Sequence, residues 1–95
     1  MLKDKAAIFK ALGEPNRLKI LKLLSGKSLC VTEITADLDL AASTVSKHLS
    51  ILKEAGFLTE EKKSKWIYYK INTHSKEPTV TSILGLLNFW LDEKY

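Results

Sequence analysis

Cysteine occurs once in this chain, at position 30, proline twice and glycine four times, and no apolar run approaches the ~18 residues that span a bilayer. A single thiol excludes an internal disulfide and any multi-thiolate zinc site within one chain. The missing apolar run excludes a membrane-spanning helix. Glycine and proline fall singly, with no repeat or low-complexity stretch, so they act as punctuation between elements. The opening Met1-Leu2-Lys3-Asp4-Lys5 lacks the apolar segment of a secretory signal, and the expectation is a cytoplasmic domain. What is present, 45% hydrophobic and 27% charged residues over 95 positions, suits one small globular domain spanning 1–95. A core of that size is marginal, so a second subunit is expected.

The net charge is +4, and its placement is uneven. Between Ala41 and Lys76 lie seven lysines against three acidic residues, so this segment carries the whole surplus and the remainder is neutral. A neutral body with one basic portion is the footprint of a nucleic-acid binder. Charge alone favours an ordinary solvated surface over that reading.

Pattern and punctuation predict the order α-α-α-α-β-β-α, with one further short extended piece near 29–31. Lys3 to Leu12 reads as a helix stopped by Gly13. Pro15 opens a second, whose Leu18, Ile20, Leu21, Leu23 and Leu24 face a core and which Gly26 closes. Thr32 to Leu38 is a short helix, Asp39-Leu40-Ala41 a turn, and Ala42 or Ser43 to Ala55 a fourth helix closed by Gly56. Phe57 to Lys62 and Trp66 to Ile71 are strand-like and joined at Lys63-Ser64-Lys65. A last helix runs from Pro78 to about Glu93.

Two helices joined by a three-residue turn, over about 32–55, are the sequence picture of a helix-turn-helix. On the second, Val45, His48, Leu49 and Leu52 share one face, while Ser43, Ser46, Lys47 and Ser50 share the opposite one. Serines donate to or accept from either base type, and a lysine reaches guanine acceptors or a phosphate. Thr44 falls nearer the backbone. The hairpin over about 57–71 forms a wing whose tip, Lys62-Lys63-Ser64-Lys65, suits phosphates or an adjacent minor groove. Trp66, Tyr68 and Tyr69 are expected to pack the hairpin on the helices.

The run from Phe9 to Leu21, FKALGEPNRLKIL, resembles the opening of the ArsR/SmtB family of winged-helix repressors. So do Ser43 to Leu58, STVSKHLSILKEAGFL, and Lys65 to Ile71, KWIYYKI. The resemblance implies a fold that is mainly α with a small β-hairpin wing, a winged helix-turn-helix. It further implies a homodimer that binds a double-stranded DNA operator and is released by a metal ion or another signal. This sequence departs from the family pattern in three places. Ala41 stands where a capping serine is usual, which makes Ser43 the candidate N-cap in competition with base reading. Ser64 stands where the wing tip often has glycine. Cys30-Val31-Thr32 stands where metal sensors carry Cys-Val-Cys, and no histidine follows His74 to join Asp92 and Glu93 in a zinc-type site.

No metal site or cofactor is therefore expected. Cys30 reads as a small buried hydrophobe, with a sensor thiol at the adjacent helix N-terminus as the sharper alternative. No base and orienting acid accompany it, so no enzyme is expected. His48 reads as a packed histidine. On the last helix, Val80 to Leu91 places apolar residues over an arc of roughly 220°, against the ~100° that one core requires. The dimer interface expected from this surplus comprises Ile8, Phe9 and Leu12 of the first helix (about 3–12). From the last helix (about 79–93) come Ile83, Leu87, Trp90 and Leu91. The alternative function is a winged-helix module that binds another protein instead of DNA.

Overall fold

A computed structural model describes residues 2–91, with side chains described through Leu87. Five helices and three strands follow one another as α1 (Leu2–Leu12), α2 (Pro15–Leu23), β1 (Leu29–Cys30), α3 (Val31–Leu38), α4 (Ala42–Glu54), β2 (Leu58–Lys63), β3 (Trp66–Ile71) and α5 (Pro78–Leu91). The strands form one antiparallel sheet in the order β1-β3-β2. This is the expected winged helix-turn-helix layout, with the short extended piece at 29–30 recruited as the sheet's third strand.

Local chemistry sets the boundaries. Pro15 occupies the first position of α2, where its missing N–H costs nothing, and the Glu14 carboxylate caps that helix by accepting from the Arg17 N–H at 3.2 Å. Helix α3 starts one residue earlier than expected, at Val31, with Cys30 as its N-cap. The Glu33 carboxylate reaches back to accept from the Cys30 N–H at 3.0 Å, completing half of a capping box. Asp39 closes α3 in the left-handed region at φ 54, a conformation that aspartate tolerates better than most residues.

Helix α4 ends in a Schellman arrangement. The Gly56 N–H donates to the Lys53 carbonyl and the Phe57 N–H to that of Leu52, both at 3.0 Å. Gly56 sits at φ 98, a backbone conformation that a side chain would strain, although a Cβ there would meet Val80 only in ordinary contact at 3.4 Å. From this corner the chain enters the wing, and it returns to the same corner: Asn72 donates from its side chain to the Gly56 carbonyl (3.1 Å) and from its backbone to that of Phe57 (2.9 Å).

The core lies where the helices meet the base of the sheet. Ile20, Leu21 and Leu24 from α2 and its end, Ile34 from α3, and Val45, Leu49 and Leu52 from α4 close around Phe57 and Leu58. Helices α1 and α5 add Ile8, Ala11, Val80 and Leu87. These two helices are joined by an ion pair between Lys5 Nζ and Glu77 Oε1 at 2.5 Å. Glu77 also accepts from the Thr79 N–H in the first turn of α5, at 3.1 Å.

Candidate nucleic-acid interface

The buried stripe of α4 dictates what its other side can do. Val45, Leu49 and Leu52 are fully buried, so Ser43, Thr44, Ser46, Lys47 and Ser50 are all turned outward and exposed. These five residues thus stand together on the outward side of one helix. One expectation is corrected: Ser43 does not cap α4. Ala41 occupies the N-cap with extended backbone and no side-chain bond, which puts Ser43 inside the first turn with its hydroxyl uncommitted to capping. The first amide groups of α4 therefore lack a side-chain cap and form a positive helix end beside the reading surface.

The wing is one residue tighter than expected. Strand β2 runs to Lys63, which pairs with Trp66, leaving Ser64-Lys65 as a two-residue loop. Ser64 takes φ 59, a left-handed conformation normally given to glycine in such hairpins. Lys62, Lys63 and Lys65 are all exposed at this tip. The Lys63 ammonium lies 5.5 Å from the centre of the Tyr68 ring, and that of Lys65 lies 5.6 Å from the centre of Trp66. Both distances are within cation–π range, so the rings restrict where these charges point. The expectation that all three aromatics pack on the helices holds for Tyr69 alone, which joins the core edge. Trp66 is 45% exposed because its register partner Lys63 lies at the tip, beyond the helices' reach.

One lysine of the basic segment is engaged within the protein. Lys53 of α4 is bound to Glu60 of β2, tying the reading helix to the wing. That hydrogen bond holds the Glu60 carboxyl below its ordinary value and the Lys53 ammonium above its own. Burial first, and then the nearby Glu60 charge, push the Tyr69 phenol up.

A sequence model described as "Bacterial regulatory protein, arsR family" matches residues 14–60, the span from the start of α2 into the wing. The transcriptional repressor SdpR of Bacillus subtilis is 33% identical over 81 residues, covering 85% of this chain and 90% of SdpR. This chain belongs to the ArsR family. Among solved structures, the transcriptional repressor PagR of Bacillus anthracis superposes with a TM-score of 0.69 at 40% identity, covering 92% of this chain and 95% of PagR. A homodimeric winged helix-turn-helix DNA-binding domain from Mycobacterium bovis, titled a possible ArsR-family regulator, gives 0.77 at 28% identity, covering 97% and 82%. The family is one of transcriptional regulators, and this ArsR-family protein is not an enzyme.

The residues weighed for sensing are placed as follows. Cys30 is buried where β1 pairs with β3, opposite Tyr68. Among the described residues no group of three or more His, Cys, Asp or Glu side chains could hold a metal ion. Asp92 and Glu93 lie outside the described residues. No described helix is long and apolar enough to cross a membrane.

The residues weighed for dimerisation separate into two sets. Ile8 and Leu87 are used in this chain's own core, and Leu12 and Ile83 are half-buried against it. Phe9 stays 59% exposed. The side chains of Trp90 and Leu91 lie outside the described residues. Two further apolar residues are exposed: Leu2 at 89% and Leu86, within the broad apolar arc of α5, at 53%.

Sequence reasoning also gave no role to Glu14 and Arg17. The Arg17 guanidinium donates from Nε to the Ala11 carbonyl at 2.6 Å and from Nη2 to that of Lys10 at 3.4 Å, capping the end of α1. Its Nη1 lies 3.1 Å from Nδ1 of His48 on α4, whose Nε2 faces Glu14 Oε2 at 3.5 Å. A carboxylate at an N-cap followed by arginine in the first turn was the only local signal. The partner on α4 is 31 residues away.

Proposed function

We propose that this protein is a homodimeric transcriptional repressor that binds a near-palindromic DNA operator. Each protomer lays α4 in a major groove and its wing along the flanking phosphates or the neighbouring minor groove. The observation that carries the reading is the outward face of α4. Three serines, a threonine and a lysine stand exposed on a helix whose opposite side is locked into the core. Small hydroxyls allow the helix to approach base edges closely, and lysines at its flank and at the wing tip supply phosphate contacts. Ser43, Ser46, Lys47 and Ser50 read or buttress the groove, Thr44 lies near the backbone, and Lys62, Lys63 and Lys65 bind phosphates.

The second copy docks on the α1–α5 side, where Leu2, Phe9 and Leu86 are apolar side chains that a monomer would leave in water. A two-fold axis there sets the two reading helices roughly one DNA turn (~34 Å) apart, which is why the site is expected to be near-palindromic. The relatives named as repressors and the homodimeric relative support this assembly. A cytoplasmic location is consistent with it.

The test is selection of duplexes from a random library by the purified protein, followed by affinity measurements across a salt series. Recovery of a two-half-site duplex, bound more weakly as salt rises, is the expected result. Failure to enrich any sequence, or an affinity indifferent to salt, would refute the reading and favour a protein-binding module. Within that assay Ser46→Ala is expected to change the preferred sequence.

A further inference from the structure

The junction between α1 and α2 touches the reading helix through polar atoms. Beside it, α1 and α4 leave a cleft of about 380 Å³ lined by Ala7, Lys10, Ala11, Ile51 and Glu54, so packed side chains do not fill this part of the boundary. Arg17 also lines the cleft and bridges its end. All three of its guanidinium nitrogens have partners: the last carbonyls of α1 receive two, and His48 of α4 meets the third. A planar fork with every nitrogen engaged has one orientation, which a lysine ammonium would not reproduce. His48 is correspondingly confined, with a side chain only 13% exposed between Arg17 and Glu14.

The chemistry of this contact has a definite consequence. Arginine is a donor only, so the Nδ1 it approaches at 3.1 Å must present a lone pair. The ring proton then sits on Nε2, on the side of the Glu14 carboxylate, at 3.5 Å. Glu14 is fixed in turn by accepting from the Arg17 N–H at 3.2 Å. The three residues form a closed set that refers the position of α4 to the end of α1.

We propose that Arg17 and His48 are positioning residues for DNA recognition: they select the imidazole's Nε2–H tautomer and fix the setting of α4 against α1. Neither side chain belongs to the exposed reading face, so the clamp governs discrimination between sequences, while general attraction to DNA remains with the lysines. Only the DNA readout of this inference rests on the function proposed above. The tautomer is a property of the free protein.

Two measurements test it. Long-range proton–nitrogen correlation spectra of the free wild-type protein at pH 8, with His48 told apart from the exposed His74 by a His74→Asn variant, report which ring nitrogen carries hydrogen. A pyrrole-type Nε2 and a pyridine-type Nδ1 are expected; the reverse assignment would overturn the proposal. In the second, His48→Leu and His48→Gln are compared on the duplex selected by the wild type and on a shuffled duplex of the same length. His48→Leu is expected to lower the ratio of the two affinities about tenfold, the scale of one lost hydrogen bond to a charged group, with the salt slope unchanged. Glutamine can still accept from Arg17, so His48→Gln is expected to retain most of the ratio. A His48→Leu protein with wild-type selectivity, or a folded His48→Gln protein as defective as the leucine variant, would refute it. Should the wild type select no duplex, the proposed function fails while the tautomer still decides the clamp.

Discussion

Removing charge from the wing tip gives a prediction whose size follows from counting. Lys63 and Lys65 each hold an ammonium group near an aromatic ring of β3. Alanine at both positions removes two cations per protomer and therefore four per dimer. Each phosphate neutralised on duplex DNA contributes about 0.9 to the slope of log affinity against log salt. The double variant is thus expected to flatten that slope by about 3.6 units. Raising salt from about 50 to about 200 mM should then cost the variant about 150-fold less affinity than the wild type loses. Fluorescence anisotropy of a labelled duplex, titrated at several salt concentrations, measures this directly. The loss at low salt should be similar on selected and shuffled duplexes, because phosphates carry no sequence information directly. An unchanged slope in a folded, dimeric double variant would show that the wing does not lie on phosphates.

Other perturbations address fold and assembly. Ser64→Gly should stabilise the protein by about 1 kcal/mol in urea denaturation, because serine at φ 59 carries a left-handed penalty that glycine lacks. No change would mean that the tip relaxes without cost. Leu49→Ala, at a fully buried position on α4, should cost about 2–5 kcal/mol by the same method; a loss below 1 kcal/mol would contradict the packing. The Glu77 carboxyl is held near a pKa of about 2, chiefly by its bond from Lys5 and next by the Thr79 N–H. Its folded value lies below the ordinary 4.5, so its stabilisation is complete above that pH and is lost as pH falls towards about 2. Glu77→Gln should therefore flatten the decline of Tm across that window, and an identical decline in variant and wild type would refute the assignment. Phe9→Glu with Leu86→Glu should give folded monomers in sedimentation, whereas a stable dimer of this variant would place the interface elsewhere.

The reading face and the element order were legible because both depend on local periodicity and punctuation. Val45, Leu49 and Leu52 at helical spacing determine which side of α4 is buried, and Gly56 marks where it ends. The inward and outward residues of α1 and α5 were not legible. An apolar arc as broad as that of α5 does not reveal which part meets its own core, and packing assigned Leu87 inward and its neighbour Leu86 outward. Trp66 shows the same limit in a strand. Its composition suggests packing, but its register against Lys63 carries it past the helices. The Arg17–His48 contact was hidden for another reason: it is a single polar pairing between distant segments, and no period or composition announces it.

The wing is fastened at one end only. Asn72 fixes both the departure and the return of the hairpin to the corner behind α4, while the loop at Ser64-Lys65 stands exposed at the far end of the ribbon. Residues inserted at that loop would lengthen the ribbon outward without disturbing the corner, at a loop-closure cost that grows only slowly with length. Reach across DNA can therefore vary independently of the helix that reads it. An engineer wishing to extend the footprint, or to graft a peptide or fluorophore site beside bound DNA, has in this hairpin tip a place where the fold tolerates added chain.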